Sequence, residues 1–126
     1  MSKLSPTVEE IDGLRRIAPK GPIVMINLLK FRPGDGRQYY KRYIEITTTV
    51  MPQGTTILYT GQAGRDVAAG EDWDFVGIVE YPSFEAFANM VTSDVYQNIA
   101  APLRPLSLLK TLFMISFRAD LGRFLG

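Results

Sequence analysis

Few side chains in this chain could do chemistry, because its 126 residues contain neither histidine nor cysteine. Without cysteine there is no disulfide, no thiolate nucleophile and no thiolate-bound metal cluster. Without histidine there is no Ser-His-Asp triad, and no side chain has an ordinary pKa near neutrality. Acid–base chemistry would therefore depend on a carboxylate, lysine or tyrosine with a shifted pKa, or on the substrate itself.

Asn27 is the first candidate site residue, because it interrupts an apolar run that begins at Ile23. Burying an amide without a hydrogen-bond partner costs roughly 1 to 3 kcal/mol. Two interpretations follow. Asn27 is either a hydrogen-bond donor in a pocket, where it would also stabilise an oxyanion, or a structural amide bonded to a neighbouring strand or loop.

Trp73 and Asp74 form the second candidate, because they follow a polar loop and open a predicted strand. The indole would cover the mouth of a barrel. A carboxylate in a partly apolar setting has a raised pKa, which would make Asp74 the best available general base. The alternative is a tryptophan at the edge of the core beside an aspartate that faces solvent.

Cations near turns and prolines are the third group. Lys30 and Arg32 lie at the end of a predicted strand, before a loop rich in glycine, and suit a carboxylate or phosphate unless they form a solvated rim. Arg104 stands between Pro102 and Pro105, where it would clamp an anion or pair with a carboxylate across a dimer.

Tyr40 and Tyr43 lie on the core-facing stripe of a predicted helix, so that their rings can pack and leave the hydroxyls for a pocket. Packing alone is the alternative. The catalytic candidates are thus Asn27 and Asp74, and no metal site is predicted. The predicted ligand-binding side chains are Asn27, Lys30, Tyr40, Tyr43, Trp73 and Arg104.

The spacing of apolar residues predicts the elements that position these side chains. Strands are predicted over 23–31, 55–63, 73–81 and 108–117, and helices over 6–17, 40–51, 84–91 and, more briefly, 94–101. Thr7 and Glu10 have the spacing of a capping box, and Ser83 is placed to cap a helix. The order β-α-β-β-α-β after the first helix predicts a ferredoxin-like α+β fold, a four-stranded antiparallel sheet with both helices on one face.

The length favours a single α+β barrel domain over 1–126, with residues 1–20 as an amino-terminal helical appendage and 119–126 as a carboxy-terminal tail. A net charge of +1 argues against nucleic acid or an anionic membrane as a partner. No apolar run reaches the ~20 residues of a membrane span, and no secretory signal is recognisable, so a cytoplasmic location is expected.

The predicted strands are apolar on both faces, whereas helices cover only one face of a ferredoxin-like sheet. A wet second face would expose a large apolar patch. The sequence therefore predicts a homodimer that closes sheet against sheet.

The segment 23–31, the tyrosines of the next helix, Trp73-Asp74, Tyr81-Pro82-Ser83 and Tyr96-Gln97 together resemble the domain of unknown function 1330 family. The resemblance runs from about Gly21 to about Arg118. It implies the dimeric α+β barrel superfamily, whose members include cofactor-independent monooxygenases, lactone isomerases, haem-dependent peroxidases and ligand-sensing modules. Haem-dependent members generally use a histidine ligand, which this chain lacks, so no cofactor is expected.

Three functions follow from these observations. The first is a dimer that binds a small apolar or aromatic molecule in a pocket. The second is a cofactor-independent oxygenase or isomerase that uses the same pocket, and the third is a purely structural dimer module.

Overall fold

The computed structural model describes residues 4–126, so the first three residues of the predicted amino-terminal appendage lie outside the described residues. The elements are α1 (Val8–Arg15), β1 (Ile23–Phe31), α2 (Gly36–Thr48), β2 (Thr56–Gln62), β3 (Phe75–Tyr81), α3 (Phe84–Val91), a π-helical turn (Tyr96–Ala100), α4 (Leu103–Ser107), β4 (Leu108–Ser116) and α5 (Leu121–Leu125).

The four strands form one antiparallel sheet in the order β2-β3-β1-β4. This order, with helical connections β1-α2-β2 and β3-α3-β4, confirms the predicted ferredoxin-like α+β fold. Asn27 lies in the central strand β1, opposite Gly77 of β3 and Phe113 of β4.

The two faces of the sheet differ in what covers them. Side chains of one parity, such as Ile23, Met25 and Tyr81, are buried in the core together with residues of the helices. The other parity faces away from the helices. The side chains on this second face of the sheet are largely apolar, and they include Val24, Ile26, Leu28, Val76, Ile78, Leu112 and Met114.

Both predicted amino-terminal caps are confirmed. The Thr7 side chain accepts a hydrogen bond from the Glu10 amide while the Glu10 carboxylate accepts one from the Thr7 amide, which is the capping box of α1. The Ser83 hydroxyl accepts from the Ala86 amide at 3.0 Å and begins α3. No helix within 4–126 is long and apolar enough to cross a membrane.

Several boundaries differ from the sequence prediction, and α2 runs over Gly36–Thr48 instead of 40–51. The strand predicted to begin at Trp73 begins at Phe75, so Trp73 and Asp74 lie in the approach to β3. The tail contains α5, which begins where Asp120 accepts from the Arg123 amide. Helix α4 was not predicted, and its Pro105 lies in the first turn. A proline in the first turn of a helix is allowed, since its missing amide has no intrahelical partner there.

Gly36 fixes how closely α2 approaches the end of α4. A Cβ atom at this position would lie 2.8 Å from the Ser107 carbonyl oxygen, which also accepts a hydrogen bond from the Arg32 amide at 2.9 Å. Only glycine permits this close approach of α2 to the end of α4.

Candidate functional site

A cavity of about 500 Å³ lies between α2 and the helix-facing side of the sheet. Its walls are mainly apolar and aromatic, and the polar side chains among them are few. The volume is in the range of ligand pockets, roughly 300 to 1,000 Å³. Of the predicted site residues, the cavity brings together Asn27, Tyr40 and Tyr43.

Asn27 points into this cavity from the centre of the sheet. Its Nδ2 donates to the Gly77 carbonyl oxygen at 3.4 Å, a long hydrogen bond, and the side chain is only partly buried. The structural interpretation of Asn27 thus has a partner in the neighbouring strand. The same amide lines the cavity, so a stronger acceptor there would find a donor in place.

Thr47 lines the same cavity from α2, and its hydroxyl is unusual. The residue is 5% exposed, and Oγ1 has no hydrogen-bond partner within the described part of the chain. The neighbouring Thr48, by contrast, donates its hydroxyl to the Ile44 carbonyl oxygen at 2.7 Å. Thr47 follows Tyr43 by four residues and so lies on the same face of α2, but this spacing gives no sign that its hydroxyl is unpaired.

Tyrosines form a cluster at one end of the cavity. The hydroxyls of Tyr43 and Tyr96 are 2.6 Å apart, and the ring of Tyr40 stacks on Tyr43 with centroids separated by 5.1 Å. Burial raises the pKa of Tyr40, Tyr81 and Tyr96 well above the ordinary value for a phenol. These phenols are therefore neutral near pH 7 and are not suited to act as bases.

Arg104 lies behind this cluster with no exposed surface at all. Its Nε donates to the Leu4 carbonyl oxygen at 2.5 Å, and its Nη2 to the Thr111 hydroxyl at 3.4 Å. The guanidinium carbon is 5.2 Å from the ring centroid of Tyr43 and 4.7 Å from that of Phe113.

The charge of Arg104 has no carboxylate counterpart. No ion pair joins it to an aspartate or glutamate of residues 4–126, and Nη1 is buried without a hydrogen-bond partner. Burial by itself would lower the pKa of Arg104, but the oxygens of Tyr43, Tyr96 and Tyr40 raise it overall. The guanidinium therefore stays charged.

Asp74, Lys30 and Trp73 lie outside the cavity. One Asp74 oxygen accepts from the Phe31 amide at 2.9 Å, where the β1–β4 register shifts, and the other is 3.6 Å from Lys30 Nζ. Trp73 packs under Lys110, whose Nζ lies 4.3 Å from the ring centroid. The fold therefore does not bring all the predicted side chains together in one pocket. Asp74 instead completes the hydrogen bonding of an irregular strand.

Arg32, the other predicted strand-end cation, donates from Nε to the Pro105 carbonyl oxygen at 2.8 Å. It borders a second depression of about 890 Å³, between residues 4–9 and the start of α4, which is more open to solvent than the cavity under α2. No other predicted site residue lines this depression, so the cavity under α2 is the better candidate site.

The arrangement is suited to holding a molecule rather than to moving protons. Neither aspartate nor glutamate is among the residues that line the cavity. The chemistry available is apolar contact, an amide donor from Asn27, a hydroxyl from Thr47, the aromatic cluster and the exposed cation Arg37. No group of three or more acidic side chains in residues 4–126 could hold a metal ion.

Comparison with known sequences gave no family model and no curated protein that matches the chain, so the resemblance to the domain of unknown function 1330 family is not confirmed. Comparison with solved structures did find matches. A protein of unknown function from Rhodopseudomonas palustris has a TM-score of 0.83 and 27% identity, over 95% of this chain and 99% of that one.

Two more distant structures have the same architecture. A candidate antibiotic biosynthesis monooxygenase from Caulobacter crescentus has a TM-score of 0.60 and 13% identity, over 86% of this chain and 99% of its own. A dabb family protein with a ferredoxin-like fold from Mesorhizobium loti has a TM-score of 0.56 and 13% identity, over 79% and 99%. These likenesses show that the chain has the ferredoxin-like α+β fold.

Proposed function

We propose that this protein binds a small apolar or aromatic molecule with one polar group in the cavity between α2 and the sheet. The observation that carries the proposal is the buried, unpaired hydroxyl of Thr47 at the wall of an apolar cavity of about 500 Å³. A buried hydroxyl without a partner costs roughly 1 to 3 kcal/mol. A ligand that bonds to it would remove that cost.

Asn27 supports the same conclusion. Its hydrogen bond to Gly77 is 3.4 Å long, so the amide loses little when it turns to a ligand acceptor. A ligand with one hydroxyl or carbonyl oxygen could then bond to Asn27 and Thr47 while its apolar part contacts the aromatic walls.

The oxygenase or isomerase alternative is less well supported. Its general base was Asp74, and this carboxylate is occupied by the Phe31 amide and Lys30 outside the cavity. The likeness to the Caulobacter protein is at 13% identity and supports the fold alone. Binding without reaction is therefore the function that the geometry favours.

Binding is tested by thermal-shift and calorimetric titration of the full chain with 2-naphthol and with naphthalene. We expect 2-naphthol to raise the melting temperature and to leave the protein chemically unchanged. Thr47→Val should weaken 2-naphthol binding about fivefold to tenfold, which corresponds to one lost hydrogen bond of ~1 kcal/mol, and should leave naphthalene binding unchanged.

Thr49→Val is the matched control for this experiment. Thr49 is exposed at the end of α2 and donates its hydroxyl to the Ile46 carbonyl oxygen at 2.7 Å, so its loss should not affect 2-naphthol. The proposal fails if neither naphthalene nor 2-naphthol stabilises the protein. Conversion of 2-naphthol to an oxidised product would instead establish the oxygenase.

The assembly proposed for this function is a homodimer. The sheet face opposite the helices has an apolar centre that includes Ile26, Leu28 and Ile78, and no element of residues 4–126 packs over it. A twofold contact of two such faces would bury it. Sedimentation at micromolar concentration should then give twice the 14.1 kDa mass of one chain.

A substitution on that face provides the complementary test. Ile78→Lys should shift the population to monomer, whereas Leu106→Lys on the exposed side of α4 should not. A wild-type protein that sediments only as a monomer would contradict the dimer.

A further inference from the structure

We infer that the ligand of the cavity is an aromatic monocarboxylate, whose carboxylate pairs with Nη1 of Arg104. This inference rests on the proposed binding function and specifies the chemical class of the ligand.

The first argument is the unbalanced charge. Arg104 is 0% exposed, and within the described chain no carboxylate pairs with it. Removing an ion from water costs several kcal/mol unless partners compensate it. Its donors bond to the Leu4 carbonyl and the Thr111 hydroxyl, and it interacts electrostatically with the oxygens of Tyr40, Tyr43 and Tyr96, but none of these groups is a carboxylate. Nη1 is left buried and unpaired, so the site lacks one acceptor and one negative charge.

The second argument is position. The guanidinium carbon lies over the rings of Tyr43 and Phe113, and both residues also line the cavity. Arg104 itself is not among the residues that line the cavity, so these two rings contact both the guanidinium and the cavity. Tyr40, which is only partly buried, also lines the cavity and interacts electrostatically with Arg104. The proposed pairing requires the Tyr40 ring, which stacks on Tyr43, to turn away and open a path to Nη1.

The third argument concerns the charge and size of the anion. No aspartate or glutamate of residues 4–126 forms an ion pair with Arg104, so one carboxylate would balance its single positive charge. A phosphate dianion would leave a buried negative charge in excess. A guanidinium also pairs with a planar carboxylate through directed N–H···O bonds. The apolar and aromatic walls of the cavity favour an aromatic ring on the remaining part of the ligand.

The experiment compares 2-naphthoate with 2-naphthamide, its neutral isostere, by calorimetric titration of the full chain at pH 7. We expect wild type to bind the carboxylate at least tenfold more tightly. Arg104→Met should abolish that preference while the affinity for 2-naphthamide changes less than threefold. A variant that had merely lost its structure would lose both ligands together.

Lys41→Met is the matched control. Lys41 is an exposed cation of α2 and is not among the residues that line the cavity. Its charge is screened by solvent, so the preference for 2-naphthoate should remain within twofold of wild type. Arg37 does line the cavity, with its guanidinium carbon 4.9 Å from the Phe31 ring centroid, and Arg37→Met tests it as the rival partner of the carboxylate. A preference that depends on Arg37 instead of Arg104 would overturn the inference.

Failure of the inference is distinguishable from failure of the proposed function. If 2-naphthol and 2-naphthamide bind but wild type shows no preference for 2-naphthoate, the inference is wrong and the binding function stands. If no probe binds, both are wrong. If Arg104→Met does not fold, a crystal structure of wild type with 2-naphthoate decides. A carboxylate within hydrogen-bond distance of Nη1 supports the inference, and one directed to solvent contradicts it.

Discussion

Replacing Thr47 by valine should make the free protein more stable, although most substitutions in a protein core destabilise it. The two side chains have nearly the same shape, and only the hydroxyl is exchanged for a methyl group. That hydroxyl is buried on α2 and has no partner within residues 4–126. The substitution therefore removes a polar group that folding takes out of water without compensation.

The expected gain in the free energy of unfolding is about 1 to 3 kcal/mol, which is the penalty for a buried unsatisfied hydroxyl. Threonine and valine have similar helix propensities, so α2 itself should change little. For a chain of this length, each kcal/mol corresponds to roughly 3 to 5 °C in melting temperature.

Urea unfolding followed by circular dichroism, at matched protein concentration, measures this gain. The midpoint should rise by ~0.5 M or more with an unchanged dependence on urea, since an m-value of about 1 to 3 kcal/mol/M is typical. Thr48→Val is the control, because that hydroxyl is exposed and paired with the Ile44 carbonyl at 2.7 Å. Its effect should stay within about 0.5 kcal/mol.

A Thr47→Val protein that is no more stable than wild type would refute the reasoning. The hydroxyl would then be hydrogen-bonded in solution, for example by water held in the cavity. It would no longer support a ligand at this position. The structure predicts that Thr47→Val gains stability and binds 2-naphthol more weakly. The unpaired hydroxyl destabilises the free protein, and the ligand would remove that penalty by bonding to it.

Three further predictions concern stability. Because burial raises the pKa of three tyrosines, including Tyr81, above their unfolded values, the stability they provide is complete below about pH 10 and is lost as the pH rises further. The loss of unfolding free energy should approach ~1.4 kcal/mol per pH unit for each tyrosine. Tyr81→Phe should remove the contribution of one tyrosine, as measured by urea unfolding between about pH 8 and 11, roughly the range around a phenol pKa. Gly36→Ala should lower the free energy of unfolding in urea by about 1 to 3 kcal/mol, since its Cβ would lie 2.8 Å from the Ser107 carbonyl oxygen. An unchanged free energy of unfolding would mean that the end of α4 can shift to make room for the methyl group. Ser83→Ala should cost about 0.5 to 2 kcal/mol, and Ser83→Asp should restore it; equal loss in both variants would argue against capping.

Local patterns were sufficient to predict the elements and the caps. The apolar run of β1, the stripe of α2 and the capping residues of α1 and α3 depend on neighbours within a few positions of the chain. The predicted order of helices and strands is the order of a ferredoxin-like sheet, and the structure confirms that fold. Helix α4 was not predicted, because a proline in the first turn of a helix cannot be distinguished from a loop proline by sequence alone.

The candidate site was only partly predictable. Asn27, Tyr40 and Tyr43 were chosen for polarity or position on a buried face, and these do line the cavity. Trp73 and Lys30 were chosen because they lie next to strand ends, but strand parity and the register shift at Phe31 direct them elsewhere. Sequence neighbours do not show which face or which end of an element a side chain will meet.

The sequence by itself determined the fold class, the two-sided apolar character of the strands and the absence of histidine and cysteine chemistry, because each follows from residue types and their spacing. Only the tertiary structure decided that the Thr47 hydroxyl and Arg104 Nη1 would be buried without partners. Whether a polar atom is satisfied depends on groups far away in the chain, such as Leu4 beside Arg104, which come together only when the helices pack on the sheet.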